Sequence, residues 1–424
     1  MATPSVAPRF PSEVRLAGID WSPLTGLMDS LSSPLATVLA GEAAERVVEK
    51  FLRANRTLTD AERRVAAEAI FGVGLWRIRL RAELGRQIES PRELVTALLR
   101  DVACLPQETL GKILGPAAAN PSDVPQGRLP IRDRFSLPSW LADIVEAEMG
   151  FEAADLADAL NVPGPITLRA NLTRTTREEL QERLAEEGIV TTHGRFAPEC
   201  LIVEGRTPNL YGSEAWKEGL FEIQDEGSQL ISHLATAPRD SRILDYCAGA
   251  GGKSLHLAAL HPTSTIHCTD IDSARLERLR QRAIRARANN IRVLTEPPKP
   301  GQLYELVLVD APCSELGALR RGPDRRFLIT HHAVKNFPEQ QTDILANAAT
   351  FVAPGGSLVY ATCTFNRAEN EDVVEKFERT TPGFQSVQPL APKALVRPDM
   401  CFQTWPHRHG TDGFFAAVFQ RALV

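Results

Sequence analysis

From about residue 236 onward, short apolar runs alternate with amphipathic stretches along the chain. The runs Arg242–Tyr246, Thr265–Thr269, Ile291–Leu294, Leu306–Val309 and Ser357–Ala361 predict strands, with a last one at Phe414–Phe419. Leu306-Val-Leu-Val is apolar at every position, as a strand covered on both faces must be. Between the strands, the spacing predicts helices over Lys253–Leu260, Ala274–Ala288, Glu339–Val352 and Ala368–Arg379. Such alternation is the signature of a doubly wound α/β sheet.

The earlier part of the chain has a different rhythm. Residues from about 36 to 112 read as helices only, with apolar positions three and four apart over Ala43–Phe51 and Thr59–Trp76. Thr59 is a candidate N-cap, and Glu62 three residues later completes a capping box. A Pro/Gly/Ser/Asn-rich stretch from Gly115 to Pro138 reads as a linker. Pro138-Ser-Trp-Leu then opens a helix, and Ile166–Asn171 is strand-like. Thr175 or Thr176 caps a helix carrying Leu180 and Leu184, which Gly188 ends, before short strands at Ile189–Thr192 and Cys200–Val203. This is a small α+β module of a kind suited to holding RNA. The expected division is 1–130, 131–235 and 236–424.

The 424 residues are 43% hydrophobic and 24% charged, ordinary values for a chain with real cores. The first ten residues contain no apolar run, so no signal peptide is expected. The uncharged stretch Ile344–Asn366 is long enough to span a bilayer. Pro354-Gly355-Gly356 in its middle makes it a buried helix, a turn and a buried strand instead. A soluble, cytoplasmic monomer with no membrane partner is expected. The seven cysteines show no Cys-x-x-Cys or Cys/His ligand spacing, which argues for reduced thiols and against a structural zinc site or other metal. The net charge of −5 does not advertise a nucleic-acid binder. Local charge does more: Arg275–Arg292 holds seven arginines against one glutamate, and Arg320, Arg321, Arg325 and Arg326 surround Asp324. Either group is a solvated face or a phosphate-binding one.

Leu244 to Ser254, Leu-Asp-Tyr-Cys-Ala-Gly-Ala-Gly-Gly-Lys-Ser, joins a buried strand to a helix. Glycines there let a ligand approach the backbone, and the helix N-terminus offers free N–H groups. A phosphate-binding loop would need glycine where Cys247 stands, and a dinucleotide fingerprint beginning at Gly249 would need Gly or Ala where Ser254 stands. Asp270, 21 residues after Gly249, is at the distance of a carboxylate that holds ribose hydroxyls. An adenosine ligand without a pyrophosphate fits, and S-adenosylmethionine is the candidate.

Two further strands end in cysteine: Asp310-Ala-Pro-Cys313 and Tyr360-Ala-Thr-Cys363. In an open parallel sheet ligands bind beyond the carboxyl ends of strands, so both thiols belong to the rim of the glycine loop. Cys104, Cys200 and Cys268 read as small buried hydrophobes. Thiols at the rim suit one chemistry in particular. Carbon 5 of cytosine is too weakly nucleophilic to attack a sulfonium methyl. A thiolate adding to carbon 6 makes the ring an enamine that can. Asp310 could stabilise the activated ring, and a second thiol could assist release.

These motifs occur in a familiar order. Gln224-Asp-Glu-Gly-Ser-Gln-Leu, the Tyr246–Lys253 loop, Asp310-Ala-Pro-Cys313, Arg320-Arg-Gly-Pro-Asp324, Pro354-Gly-Gly, Ala361-Thr-Cys363 and Gly410-Thr-Asp-Gly-Phe-Phe415 together resemble the Sun/Fmu family of RNA (cytosine-5) methyltransferases. The resemblance covers about 139–424. It implies a Rossmann-like methyltransferase domain, preceded by a small RNA-binding module and an all-α domain like the antitermination factor NusB. It implies cofactor contacts from Cys247, Ala248, Gly249, Ala250, Gly251, Gly252, Lys253, Asp270 and Asp310, with S-adenosylmethionine as cofactor. It makes Cys363 the nucleophile and Cys313 the release cysteine, with RNA, 16S ribosomal RNA first, as substrate. Transfer RNA, or a non-catalytic role in ribosome assembly, are the alternatives. Two positions depart from the family. Thr295-Glu296-Pro-Pro stands where an adenine-binding acid is usual, and Ser314-Glu315-Leu316-Gly317 follows Cys313 where small residues are usual.

Overall fold

The computed structural model describes residues 9–84, 90–119, 129–205 and 209–423. These form two compact units, one reaching Pro163 and taking in Leu319–His331, the other made of Gly164–Ala318 and the chain from His332 onward. The units therefore divide the chain after 163, whereas the sequence pattern suggested boundaries at 130 and 235. Part of the expected linker from Gly115 to Pro138 lies outside the described residues.

Among its described residues, every regular element of the first unit is a helix. Its central helix, Asp60–Leu84, begins at the capping box: Glu62 accepts the Thr59 N–H at 2.8 Å, and Thr59 Oγ1 accepts the Glu62 N–H at 3.3 Å. Val65, Ala69, Ile70, Val73 and Trp76 on that helix pack against Leu31, Leu35, Val38, Val47 and Phe51. The Arg320–Arg326 segment belongs to this unit, and part of its charge is structural. Arg326 is fully buried and donates to Asn161 Oδ1 at 2.7 Å and to the Leu160 carbonyl at 2.9 Å. Asp324 accepts the Ala44 N–H at 2.6 Å, at the start of helix Ala44–Ala54. Arg320 is buried too, so only Arg321 and Arg325 of the four present an exposed side chain.

The second unit holds two sheets. Strands β1 (Thr167–Ala170), β2 (Thr191–His193), β3 (Cys200–Val203) and β4 (Phe221–Ile223) form an antiparallel sheet in the order β2-β3-β1-β4. Leu168, Leu180, Leu184, Leu201 and Phe221 make its core. The larger sheet is built from β5 (Arg242–Asp245), β6 (Thr265–Cys268), β7 (Ile291–Val293), β8 (Tyr304–Asp310), β9 (Val352–Thr362), β10 (Phe384–Val387), β11 (Phe402–Gln403) and β12 (Phe415–Arg421). Their order is β10-β12-β9-β8-β5-β6-β7, with β11 paired to β12. Strands β5 to β9 run parallel, and β12 returns antiparallel against β9. Alternate residues serve opposite faces. Ile243, Leu306, Leu308 and Val359 meet helices Gly252–Leu260 and Ser273–Ala286. Leu244, Val307, Val309 and Tyr360 meet His331–Ala349 and Glu371–Thr380. Chain order reverses between β5 and β8, so the crevice that binds ligands in such sheets lies at their carboxyl ends.

Pro354-Gly-Gly does not precede a strand as expected. It lies inside β9, where the register against β8 shifts between Tyr304 and Leu306 and Gly355 takes φ +75°. A strand covered on both faces absorbs the extra residues as a bulge rather than ending. Among the described residues no helix is long and apolar enough to cross a membrane.

Arginines of the Arg275–Arg292 run join the two sheets. Arg282 donates to Glu222 of β4 at 2.9 Å and to the Ala250 carbonyl at 2.7 Å. Arg285 also pairs with Glu222, donates to the Trp216 carbonyl and lies 4.0 Å from the Trp216 ring centroid. Glu222 is 5% exposed, so its charge depends on these partners. Replacing Arg282 and Arg285 together with alanine should cost about 3–5 kcal/mol, the usual penalty for stranding a buried charge. Arg278→Ala, at an exposed position of the same helix, should cost under about 0.5 kcal/mol. Urea denaturation checks this, and equal losses would return the pair to a solvated face.

Candidate active site

The glycine loop follows β5. Gly249 and Gly251 adopt φ +54° and +86°, and a Cβ on Gly251 would lie 2.5 Å from Leu279, so a side chain there meets both strain and a clash. The turn is closed by Gly251 N–H to the Ala248 carbonyl at 2.9 Å and tied to β6 by Ala248 N–H to the Thr269 carbonyl at 2.8 Å. Helix Gly252–Leu260 starts at once, its first N–H groups at the rim. Asp270, just past β6, accepts the Gly249 N–H on Oδ2 and the Asp272 N–H on Oδ1, each at 2.8 Å. Each of its oxygens retains a second lone pair for a hydroxyl. Ile271 beside it is fully exposed, an apolar surface with no packing partner. Glu296, after β7, is exposed.

The two cysteines meet. Cys313 Sγ lies 3.4 Å from Cys363 Sγ, although 50 residues separate them. Cys363 immediately follows β9, its thiol pushed well above the usual range by the hydrogen bond with Cys313, by burial and by nearby acid charges. The loops that carry the thiols are knotted by a buried acid, Glu369. It accepts the Ser314 N–H at 2.9 Å, the Ser314 hydroxyl, Gln341 Nε2 at 3.1 Å and Asn366 Nδ2 at 3.0 Å. Ser314 Oγ also meets Thr364 Oγ1 at 2.9 Å, and Gln341 donates to the Pro312 carbonyl at 3.0 Å. Gly317 donates to the Cys363 carbonyl at 3.0 Å and packs backbone-to-backbone on Gly413, where a Cβ would stand 2.0 Å from the Gly413 oxygen. Glu315 takes φ +58°, a left-handed turn that lets the chain reverse between Cys313 and that contact.

Lys253 links the halves of the site. Its Nζ donates to Asp310 Oδ2 at 2.6 Å and lies 5.1 Å from the Phe414 ring centroid. Burial alone would lower its pKa, but Asp310 and the neighbouring Cys363 raise it, so the ammonium is retained. Beneath the loop, Asp245 is buried with Oδ2 accepting the Ser254 hydroxyl at 2.6 Å and Oδ1 unpartnered. The other rim thiol, Cys247, is pushed up by burial and by Asp245 and is unsuited to attack.

The chain positions read from motif spacing therefore converge, except that Lys253 is engaged with Asp310 as well as bordering the glycine loop. Sequence spacing did not single out Asp245, Glu369, Gln341 or Asn370. For Glu369 and Asn370 the local signal was the Phe365-Asn-Arg-Ala-Glu-Asn370 run, whose amides cap and brace: Asn370 accepts the Thr362 hydroxyl at 2.6 Å and donates to the Thr364 carbonyl at 3.0 Å.

Asp245 generates a pH test. Burial, with Asp310 and Asp270 adding to it against Ser254 and Lys253, pushes its carboxyl up to about 7. An unfolded aspartate titrates near 3.9. Between those values the folded chain holds a proton that the unfolded chain releases, so this group lowers stability as pH rises from about 4 to about 7. Asp245→Asn should gain on the parent chain across that window by on the order of 3–4 kcal/mol. Denaturant curves at several pH values check this, and parallel pH profiles would mean that Asp245 is already ionised.

Comparison with known proteins agrees with the arrangement. Residues 232–420 match the family model described as 16S rRNA methyltransferase RsmB/F, and residues 137–209 match its ferredoxin-like domain. The chain is 34% identical over 301 residues to the probable ribosomal RNA small subunit methyltransferase B of Bacillus subtilis, covering 68% of this chain and 66% of that protein. It is 32% identical to the Synechocystis protein of the same name, covering 70% of this chain and 69% of that one. The matched stretch thus spans about two thirds of these relatives' length. Among solved structures, PH0851 has the same fold at a TM-score of 0.74 and 22% identity, over 95% of this chain and 99% of that one. NSun6 from Pyrococcus horikoshii with SFG follows at 0.61 and 21%, over 68% and 98%. A family-model match at the cysteine-bearing sheet, another at the small sheet before it, and this degree of identity to curated relatives lead to one assignment: the chain belongs to the RsmB/F family of 16S rRNA methyltransferases.

Proposed function

We propose that this chain methylates carbon 5 of a cytosine in RNA, with S-adenosylmethionine as methyl donor and Cys363 as covalent nucleophile. The observation that carries this reading is the pair of thiols 3.4 Å apart at the ends of adjacent strands, on the rim that also bears the glycine loop and the Lys253–Asp310 pair. The names of the relatives point to 16S ribosomal RNA as the substrate.

The residues present suit the cofactor. Gly249 and Gly251 keep the turn free of side chains, Asp270 offers lone pairs to ribose hydroxyls, and the exposed Ile271 offers an apolar face to a base. A crystallised neighbour holding SFG, an analogue of S-adenosylmethionine, is consistent with that assignment. When bound, the cofactor supplies a methyl group on a positively charged sulfur.

The chain's own residues prepare the acceptor. Cys363 loses its proton and its sulfur bonds to carbon 6, whose double-bond electrons move to carbon 5. The resting thiol is protonated, so the Lys253 ammonium beside it favours the thiolate as it forms. Asp310 holds that ammonium, and the proton given up by Cys363 ends on the ring nitrogen that gains electron density, which then donates to the Asp310 carboxylate. After carbon 5 is methylated, its remaining proton must leave so that the electrons can expel the Cys363 sulfur. Cys313, in contact with that sulfur and having given its own proton to solvent, takes the carbon 5 proton as a thiolate, and the Cys363 sulfur leaves with the electrons of the carbon–sulfur bond. The base must be unstacked to reach the thiols, and the small sheet of β1 to β4 is suited to holding the surrounding RNA.

The order of steps separates the cysteines. Cys363→Ala should abolish both methylation and any covalent RNA adduct. Cys313→Ala should attack and methylate, then stall as an adduct that survives denaturing electrophoresis, and the double variant should lose it. Adduct from Cys363→Ala alone would reverse the roles, and two active variants without adduct would exclude covalent catalysis. Separately, Asp270→Ala should weaken S-adenosylmethionine binding by on the order of 1.5–3 kcal/mol, the scale of a hydrogen bond to a charged group. Calorimetric affinity equal to the parent would place the ribose elsewhere.

A further inference from the structure

Behind the glycine-loop helix lies a group of side chains that the methyl-transfer reading does not use. His256 is on helix Gly252–Leu260, His233 follows helix Glu226–Ile231, and Glu199 immediately precedes β3. One ligand atom from each lies within 4.8 Å of the others. Glu199 and His256 are buried, and His233 is the partly exposed member. The two imidazoles cross at 84° with centroids 5.0 Å apart, so both can direct a nitrogen at one point near the carboxylate.

Hydrogen bonding leaves this group incomplete. His233 Nε2 meets Glu199 Oε1 at 2.8 Å. His256 Nε2 contacts the same Oε1, so one carboxylate oxygen serves both imidazoles, while His256 Nδ1 and Glu199 Oε2 have no hydrogen-bond partner. A buried carboxylate oxygen and a buried imidazole left unsatisfied are costly, on the order of 1–3 kcal/mol each. A cation held by the carboxylate and one nitrogen of each imidazole would use the spare carboxylate oxygen and replace the crowding of two rings on Oε1 with ligand bonds.

We propose that Glu199, His233 and His256 bind one divalent transition-metal ion of the zinc class, pinning the glycine-loop helix to the small sheet. Two imidazoles and a carboxylate form an established zinc donor set, with the fourth position open to water. Imidazole nitrogen selects zinc and its neighbours over magnesium or calcium. Burial, reinforced by Arg169, holds His256 neutral with a pKa near 3, the form that can ligate. Arg169 itself is occupied: it donates to the Gly252 carbonyl at 2.7 Å and to Gln224, and Glu222 and Glu199 counter its charge. The ligands come from positions 199, 233 and 256, without the short spacing of a zinc finger. The absence of metal expected from cysteine spacing did not consider such a set.

The test uses the full-length chain, stripped with a chelator and titrated with zinc chloride in a calorimeter. Because Cys313 and Cys363 could themselves take zinc, the titration is repeated in the Cys313→Ser, Cys363→Ser double variant. One Zn²⁺ per chain should bind there, raise the thermal midpoint, and give with Co²⁺ a visible spectrum without thiolate charge-transfer bands. Adding His233→Ala, at the partly exposed edge where folding is least at risk, should weaken zinc binding by at least ~100-fold, beyond the usual loss for a supporting residue. Failure of the double variant to bind zinc stoichiometrically would overturn the proposal, as would unchanged affinity on adding His233→Ala.

Discussion

Two thiols carried by separate strands stay within contact distance because a single buried carboxylate holds both of their loops. Glu369 accepts from Ser314, which follows Cys313, and from Asn366, which follows Cys363. Its remaining capacity goes to Gln341, which in turn holds the Pro312 carbonyl. Such a group is costly to bury unless every lone pair is used, and here the partners come from both loops and a third helix. Loosening any one strand end therefore disturbs the others, which is how a site made of loops becomes as rigid as the sheet beneath it.

Around that knot the second unit is arranged in layers of constraint. The parallel strands bring the glycine loop, Asp270, Asp310 and Cys363 to one rim. The Gly317–Gly413 contact then draws the β8 loop onto the turn before β12, a closeness that only two glycines permit. On the other side, Arg169, Arg282 and Arg285 extend from the small sheet and the arginine-rich helix to the carbonyls of Gly252 and Ala250 and to Glu222. Much of the local positive charge is thus used for assembly within the unit. The proposed Glu199–His233–His256 ion would brace the same helix from behind.

Periodicity made the sheet legible. β5 to β9 fall where apolar runs predict them, and β3 matches its expected bounds, because a strand covered on both faces admits little but apolar residues. The glycine loop and the two strand-end cysteines were legible for a similar reason, since each sits where backbone geometry leaves few choices. Strands β4, β10 and β11 carried no such signal, being short and at or near the edges of their sheets. Asp245 and Glu369 were invisible because a buried acid looks like a solvated one until its partners, up to 55 residues away, are known. The arginine group near 320 showed the converse: charge that reads as surface proved half structural, because Arg326 finds carbonyl and amide partners far along the chain.

The two thiols are proposed to act on a cytosine in ribosomal RNA. Bisulfite sequencing of 16S ribosomal RNA measures this most directly, in cells with the chain, without it, and with only the Cys363→Ala form. The expected result is a cytosine that resists conversion when the intact chain is present and converts in both other cases. A methylation pattern identical in all three would contradict it, and the chain's role would then be that of an RNA-binding protein with a methyltransferase fold.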